Sequence, residues 1–371
     1  MKQIKFSDVD ITKNDLKKVN EVLKSGWLTH GKYTKLFENQ LKLFTKSKHA
    51  TTVSSCTAGL HLIFLALGIG KGDTVLVPAM SHVATAHAIS YTGANVKFTD
   101  VDLETGNITL KDVIKNFNKN IKAIIVVHMS GIPVKDILKI KSFCKKNKIY
   151  LIEDCAHALG SKINGKHVGN FGDAGSFSFY PTKQITSGEG GAVITNSSKI
   201  FNKIKKLKAF GIDTDIKHRK IPGMYNVKGL GYNFRMTDFQ AALIYAQLKR
   251  YSNKLLIRKR NAKIYERELK NYNHVKFSSF SDNNSYFIFQ IFVNKKIRNS
   301  LIKSMVKNFI GCSIHYATPL PYFDYYKKLL GAKKYVNAEY YAKSNISLPI
   351  HPKLNTKQIR YIVDFIINNT K

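Results

Sequence analysis

Between residues 50 and 195, short apolar and β-branched runs alternate with stretches whose apolar residues recur at helical spacing. TVLVP at 74–78, VKFTDVD at 96–102, KAIIVVH at 122–128 and IYLIED at 149–154 predict strands. Near-continuous apolar strands are covered on both faces, so this rhythm implies βαβ units and a mostly parallel central sheet flanked by helices. Several runs end in a polar cluster, and open α/β sheets bind ligands at the carboxyl ends of their strands. From Asp238 the pattern becomes one long helix, DFQAALIYAQLKRYSNKLLIRKRNAKIYERELK. Strand-like SYFIFQIFV at 285–293 and CSIHYATPL at 312–320 follow, and KQIRYIVDFIINN predicts a closing helix. The fold class is therefore α/β, with a large domain at 1–250 and a smaller α+β domain at 251–371.

Composition changes this picture little. A chain of 371 residues exceeds one comfortable core, which supports the division in two. No Pro-, Ser- or Gln-rich tract interrupts the apolar residues, so the whole length reads as globular. The opening MKQIKFSDVDITKND lacks a signal-peptide core, and no run approaches the ~18 apolar residues of a membrane span. A cytoplasmic protein without a membrane partner is expected. Cys56, Cys144, Cys155 and Cys312 form no CxxC pair, which predicts reduced thiols and no metal site. The formal net charge of +36 would attract anions. Its lysines are scattered among Asn and Ile without a long basic block, so the charge reads as compositional bias that helps draw in an anionic substrate, not as a nucleic-acid surface.

Three segments carry chemistry. FSFYPTKQITSGEGG at 177–191 holds a single lysine, Lys183, between an aromatic strand and a glycine-rich turn. Desolvation would make its amine a nucleophile able to form a Schiff base; a loop lysine pointing to water is the competing reading. IYLIEDCAHALGS at 149–161 places Asp154 at a strand's carboxyl end, where a carboxylate can keep a pyridinium nitrogen protonated. Alone, that acid could equally be a metal ligand or a helix cap. VSSCTAGLHLIFLAL at 53–67 sets Ser55 and Thr57 at a helix start, which is either a phosphate site or an ordinary N-cap. Together the three segments point to pyridoxal 5'-phosphate.

Ordered strings along nearly the whole chain resemble the DegT/StrS-type nucleotide-sugar aminotransferases, which have the type I PLP-enzyme fold. They are GWLTHGKYTKLFE at 26–38, SSCTAGLHL, VPAMSHVATAHAISYTGANVKFTDVD, EDCAHALGS, SFSFYPTKQITSGEGGAVITN, GYNFRMTDFQAALIYAQL, GCSIHYATPLP and SLPIHP. The resemblance implies that Lys183 holds the cofactor covalently and Asp154 contacts its pyridine nitrogen. It implies that His82 stacks on the ring, that His157 bonds the ring hydroxyl, and that Thr57, Ala58 and Ser178, with Ser55, cradle the phosphate. Asn233 matches a phosphate contact donated by the neighbouring subunit of a homodimer, and Gly31, His315 and Tyr316 match positions near the sugar. Two residues depart from the family pattern. Cys56 stands where a glycine is commoner, with its thiol expected to point away from the phosphate loop, and Phe287 follows Tyr286 where a His is frequent.

The implied reaction moves an amino group, from glutamate, to a keto sugar on a nucleoside diphosphate. A sugar dehydratase on the same fold is an alternative, but there a His replaces the lysine. A non-catalytic regulatory or nucleic-acid-binding protein would leave Lys183 and Asp154 unexplained. A dinucleotide-dependent dehydrogenase lacks its GxGxxG after the first strand.

Overall fold

The computed structural model describes residues 3–213 and 221–370. Seven strands build the central sheet: β1 (His49–Val53), β2 (Thr74–Pro78), β3 (Asn95–Thr99), β4 (Ile121–Val127), β5 (Tyr150–Asp154), β8 (Ala174–Ser178) and β9 (Gly191–Thr195). Two short strands, β6 (Lys162–Ile163) and β7 (Lys166–His167), pair as a separate hairpin. The order across the sheet is β1-β9-β8-β5-β4-β2-β3, and only β9 runs against its neighbours.

Successive side chains of a strand point to opposite faces, and here both faces are apolar. Ala123 and Ile125 join one core, while Ile124 and Val126 join the other. The first core is closed by α3 (Cys56–Leu67), α4 (Val83–Ser90) and α7 (Ser198–Leu207), the second by α2 (Lys32–Thr45), α6 (Ile137–Asn147) and α8 (Asp238–Lys249). Helices α1 (Lys13–Ser25) and α5 (Leu110–Asn116) lie at their edges, with Val22 and Val113 packed into the second core.

The single helix predicted from Asp238 is two, α8 and α9 (Tyr251–Leu269). They break at Arg250, whose backbone leaves helical geometry at φ −104, ψ 3. Its guanidinium bonds Asp15 and the carbonyls of Asp10 and Ala246, so long-range partners fix the corner. A second sheet, β10 (Lys276–Phe277), β11 (Phe289–Phe292) and β12 (Asn345–Leu348), packs on α9, α10 (Arg298–Lys307) and α13 (Thr356–Asn368). The closing helix appears as expected, capped by Asn355 in a capping box with Gln358. Helices α11 (Asp324–Leu330) and α12 (Val336–Ser344) instead send Tyr326, Ala338 and Tyr341 into the first core of the large sheet.

The strand expected over CSIHYATPL does not form. Ser313 bridges Ser347, but the His315 N–H goes to the Asn345 side chain and the His315 carbonyl accepts from Gln290, so the ladder stops there. An N-terminal strap joins distant parts of the molecule. Ile4 pairs with Ile310, Ser7 bonds the Thr182 carbonyl, and Asp8 and Asp10 pair with Lys353 and Lys254. No helix among the described residues is long and apolar enough to cross a membrane.

Candidate active site

The carboxyl ends of β1, β2, β4, β5 and β8 open onto one cavity of about 420 Å³, as a doubly covered sheet predicts. Its lining brings together Ser55, Thr57, His82, Asp154, His157, Ser178, Lys183, His315 and Tyr316. Ala58 stands just behind, donating its N–H to the Ser55 hydroxyl at 3.0 Å as the N-cap of α3. The other N–H groups of that first turn have no helical acceptor and form a partial positive charge at the cavity wall. Gly191 makes the turn possible, since a Cβ there would lie 2.5 Å from the Ser55 carbonyl carbon.

Lys183 follows the Tyr180 carbonyl, to which its own N–H bonds at 2.9 Å. Its Nζ lies 4.3 Å from the centre of the Phe287 ring. Burial lowers the ammonium to about 8, against the opposing effects of Cys56 and Asp154. The competing picture, a loop lysine in water, does not hold.

Asp154 ends β5, and its side chain is tied from three directions. Thr85 donates to Oδ2 at 2.8 Å, Ala156 N–H donates to Oδ1 at 3.0 Å, and the Cys56 thiol lies 3.9 Å from Oδ1. The Thr85 hydroxyl is bonded in turn to Ser81 at 2.6 Å. A carboxylate offers roughly four acceptor positions, so these donors leave about one for a ligand. Cys56, expected to point away from the phosphate loop, turns its thiol toward Asp154 on the wall of the same cavity, where burial pushes it well above its usual pKa.

The neighbouring acid has a different task. Glu153 is fully buried and accepts from His128 and from the backbone N–H groups of Gly169, Phe171 and Gly172 at 2.6 to 2.9 Å. Burial opposes its charge, but these donors keep it below the ordinary carboxylate range. His128, Glu153 and Cys155 lie close enough to hold a metal ion, yet every Glu153 oxygen is already taken by N–H groups. The cluster pins the 169–172 loop to β5.

His82 caps α4, its Nδ1 accepting the Ala84 N–H at 3.2 Å, and its ring stands 5.7 Å from that of Tyr316. Burial and then Lys183 lower its pKa, favouring a neutral ring. Ser81, Thr85 and Cys56 were not singled out as functional in the sequence, where only the polar cluster after TVLVP hinted at the first two.

Two expected residues lie elsewhere within the chain. Gly31 lines a separate pocket of about 230 Å³ with Trp27, Lys35, Lys205 and Arg235, and Asn233 is exposed beside it in the segment bridged to Ala209. The structure also supplies a packing reason for Gly31: a Cβ there would fall 2.2 Å from the Asp238 carboxylate that caps α2 through Tyr33 and Thr34.

An amine able to lose its proton, a carboxylate with one open position and a helix N-terminus on one cavity suit an aromatic aldehyde bearing a ring nitrogen and a phosphate. Comparison with known proteins points the same way. A sequence profile described as the DegT/DnrJ/EryC1/StrS aminotransferase family matches residues 9–367. The chain is 36% identical over 360 residues to GDP-perosamine synthase from Vibrio cholerae, covering 96% of each. It is 35% identical to a UDP-4-amino-4,6-dideoxy-N-acetyl-beta-L-altrosamine transaminase from Campylobacter jejuni, covering 98% of this chain and 97% of the relative. In three dimensions it is similar to Spr1654 from Streptococcus pneumoniae. The PMP-form superposes with a TM-score of 0.93 at 29% identity over 99% of both chains. The PLP-form gives 0.90 at 28%, covering 100% of this chain and 99% of that one.

Proposed function

Because this chain belongs to the DegT/DnrJ/EryC1/StrS aminotransferase family, we propose that it transfers an amino group from glutamate to the keto carbon of a nucleoside-diphosphate keto sugar, with pyridoxal 5'-phosphate held at Lys183. The product would feed amino-sugar synthesis for a surface polysaccharide or glycan. The observation that carries the reading is the convergence of Lys183, Asp154 and the α3 N-terminus on one cavity.

When bound, pyridoxal phosphate supplies an electron-accepting ring on which the amino group waits between donor and acceptor. The chain does the rest. With its ammonium lowered to about 8 by burial, Lys183 gives up its proton far more readily than an ordinary lysine, so its Nζ can attack a carbonyl and later carry a proton. Asp154, oriented by Thr85 and Ala156, would present its open position to the ring nitrogen and keep it protonated. The first turn of α3, with Thr57 and Ser178, would hold the phosphate. His82 would stack on the ring, and His315 and Tyr316, on the same cavity, would meet the sugar.

Gly31 and Asn233 then serve the cavity of a second subunit. Both lie near exposed apolar side chains, Trp27 and Leu28 on one segment and Met224 and Leu230 on the other, which a two-fold dimer would cover. Lys183→Ala and Asn233→Asp should each be inactive, the second through repulsion of the phosphate. Mixed dimers recover one site per dimer if the sites are shared, so random mixing restores about a quarter of all sites. No recovery despite confirmed subunit exchange would rule the shared arrangement out.

The reaction itself is tested by offering keto-sugar nucleotides with glutamate and identifying the amino sugar by mass and NMR. Formation of 2-oxoglutarate with an aminated sugar nucleotide is expected. Turnover of amino acids alone, with every sugar nucleotide refused, would overturn the assignment.

A further inference from the structure

The His157 imidazole is buried, and both of its nitrogens are committed. Ser130 donates its backbone N–H to Nδ1 at 3.3 Å, which requires a lone pair on that nitrogen. Nε2 lies 3.2 Å from the Tyr316 hydroxyl. The groups facing the ring are Lys183, His82, His315 and Tyr316, none of them a carboxylate, and burial first, then the Lys183 ammonium, favours the neutral form. Phe287 stacks on the imidazole with centroids 4.4 Å apart and planes at 24°, which opposes a ring flip that would put carbon atoms where the two nitrogens stand.

The Ser130 N–H is itself held in place at a cost. Ser130 sits at φ 60, ψ 5, a left-handed backbone that a non-glycine residue keeps only when its surroundings impose it. Its Oγ donates to Gln290 Oε1, which also accepts from Tyr341, while Gln290 Nε2 donates to the His315 carbonyl at 2.9 Å. The Gln290 amide can face only one way, and through it β11 fixes Ser130.

We propose that Ser130 is a positioning residue whose backbone N–H locks His157 as an Nε2–H tautomer, making it a one-way hydrogen-bond donor to an anionic oxygen of the ligand held at Lys183. The ligand half of this inference rests on the proposed function. With Nε2 as the donor, the Tyr316 hydroxyl accepts and keeps its own proton for another partner. Phe287 supplies an apolar buttress instead of a competing hydrogen-bond partner.

Nitrogen-15 NMR of histidine-labelled, ligand-free protein reads the tautomer directly, with the His157 signal assigned by its loss in His157→Gln. A bare Nδ1 and a protonated Nε2 are expected; a protonated Nδ1 overturns the proposal. Ser130→Ala cuts the tether to Gln290 and should give a mixture of tautomers, whereas an unchanged single tautomer removes Ser130 as its keeper. Titration of apoprotein with pyridoxal phosphate tests the ligand half. Glutamine at 157 can accept from Ser130 and still donate to the ligand, but glutamate cannot donate when ionised. His157→Glu should therefore bind pyridoxal phosphate about 10- to 100-fold more weakly than His157→Gln, the loss of one charge-assisted hydrogen bond. Equal affinities overturn the donor role. Failure of the wild-type protein to bind pyridoxal phosphate sinks the proposed function and the ligand half with it, while the tautomer still decides the other half.

Discussion

Replacing Lys183 by alanine is expected to lower turnover by at least about 10³-fold, because both the nucleophile and the proton carrier are lost with one amine. The cavity keeps its other contacts, so pyridoxal phosphate still binds, but borohydride no longer fixes it to the chain and its protein-bound visible band disappears. Lys183→Arg separates charge from chemistry. A guanidinium preserves the positive charge in the cavity but stays protonated at any working pH, so this variant should be as inactive as the alanine. Wild-type rates in either variant would show that a different group does the chemistry. A borohydride-treated wild-type digest carrying the label on a peptide other than the one containing Lys183 would show the same.

Asp154→Asn is expected to cost about 10³-fold in turnover with little loss of stability. Asparagine has the same shape: its carbonyl can accept from Ala156, and its amide can donate to the Thr85 hydroxyl, which already has Ser81 as a second partner. What goes is the negative charge. If that charge raises the pKa of the ring nitrogen by about three units, its removal costs about 4 kcal/mol, or roughly a thousandfold. The thermal midpoint should move by only a few degrees. A near-normal rate would mean that the ring nitrogen finds its proton elsewhere, and a collapsed midpoint would mean that Asp154 acts mainly through Thr85 and Ala156.

The chemistry of this chain was legible where a local string carries it. The β-branched runs form strands because burial on both faces rewards continuous apolar sequence; Asp154 is visible because it ends such a strand, and Lys183 because it stands alone between an aromatic strand and a glycine-rich turn. What sequence did not reveal are features made by residues far apart. Cys56 turns toward Asp154 across 98 positions, and Thr85 reaches the same carboxylate across 69. The helix break at Arg250 depends on Asp15, 235 residues earlier. The unbuilt strand at 312–320 lost its ladder to the side chains of Asn345 and Gln290, which no periodicity reports. Gly31 shows the same limit from another side, since its tight approach to Asp238 is a packing demand that a family motif cannot separate from a ligand contact.

The N-terminal strap also has a consequence for how the protein is made. Ile4 pairs with Ile310 and belongs to the same core as Val363, so its partners leave the ribosome more than three hundred residues later. At about 5–20 residues per second, Ile4 waits about 15–60 s before Ile310 exists. Strand β1 similarly waits for β9, its only neighbour in the sheet among the described residues. Until then the nascent chain carries an unpaired strand edge and an uncovered apolar strap, the two features that invite chaperones during synthesis and association between chains at high expression. Slowing translation should therefore not help this protein to fold; lowering the number of unfinished chains per cell should.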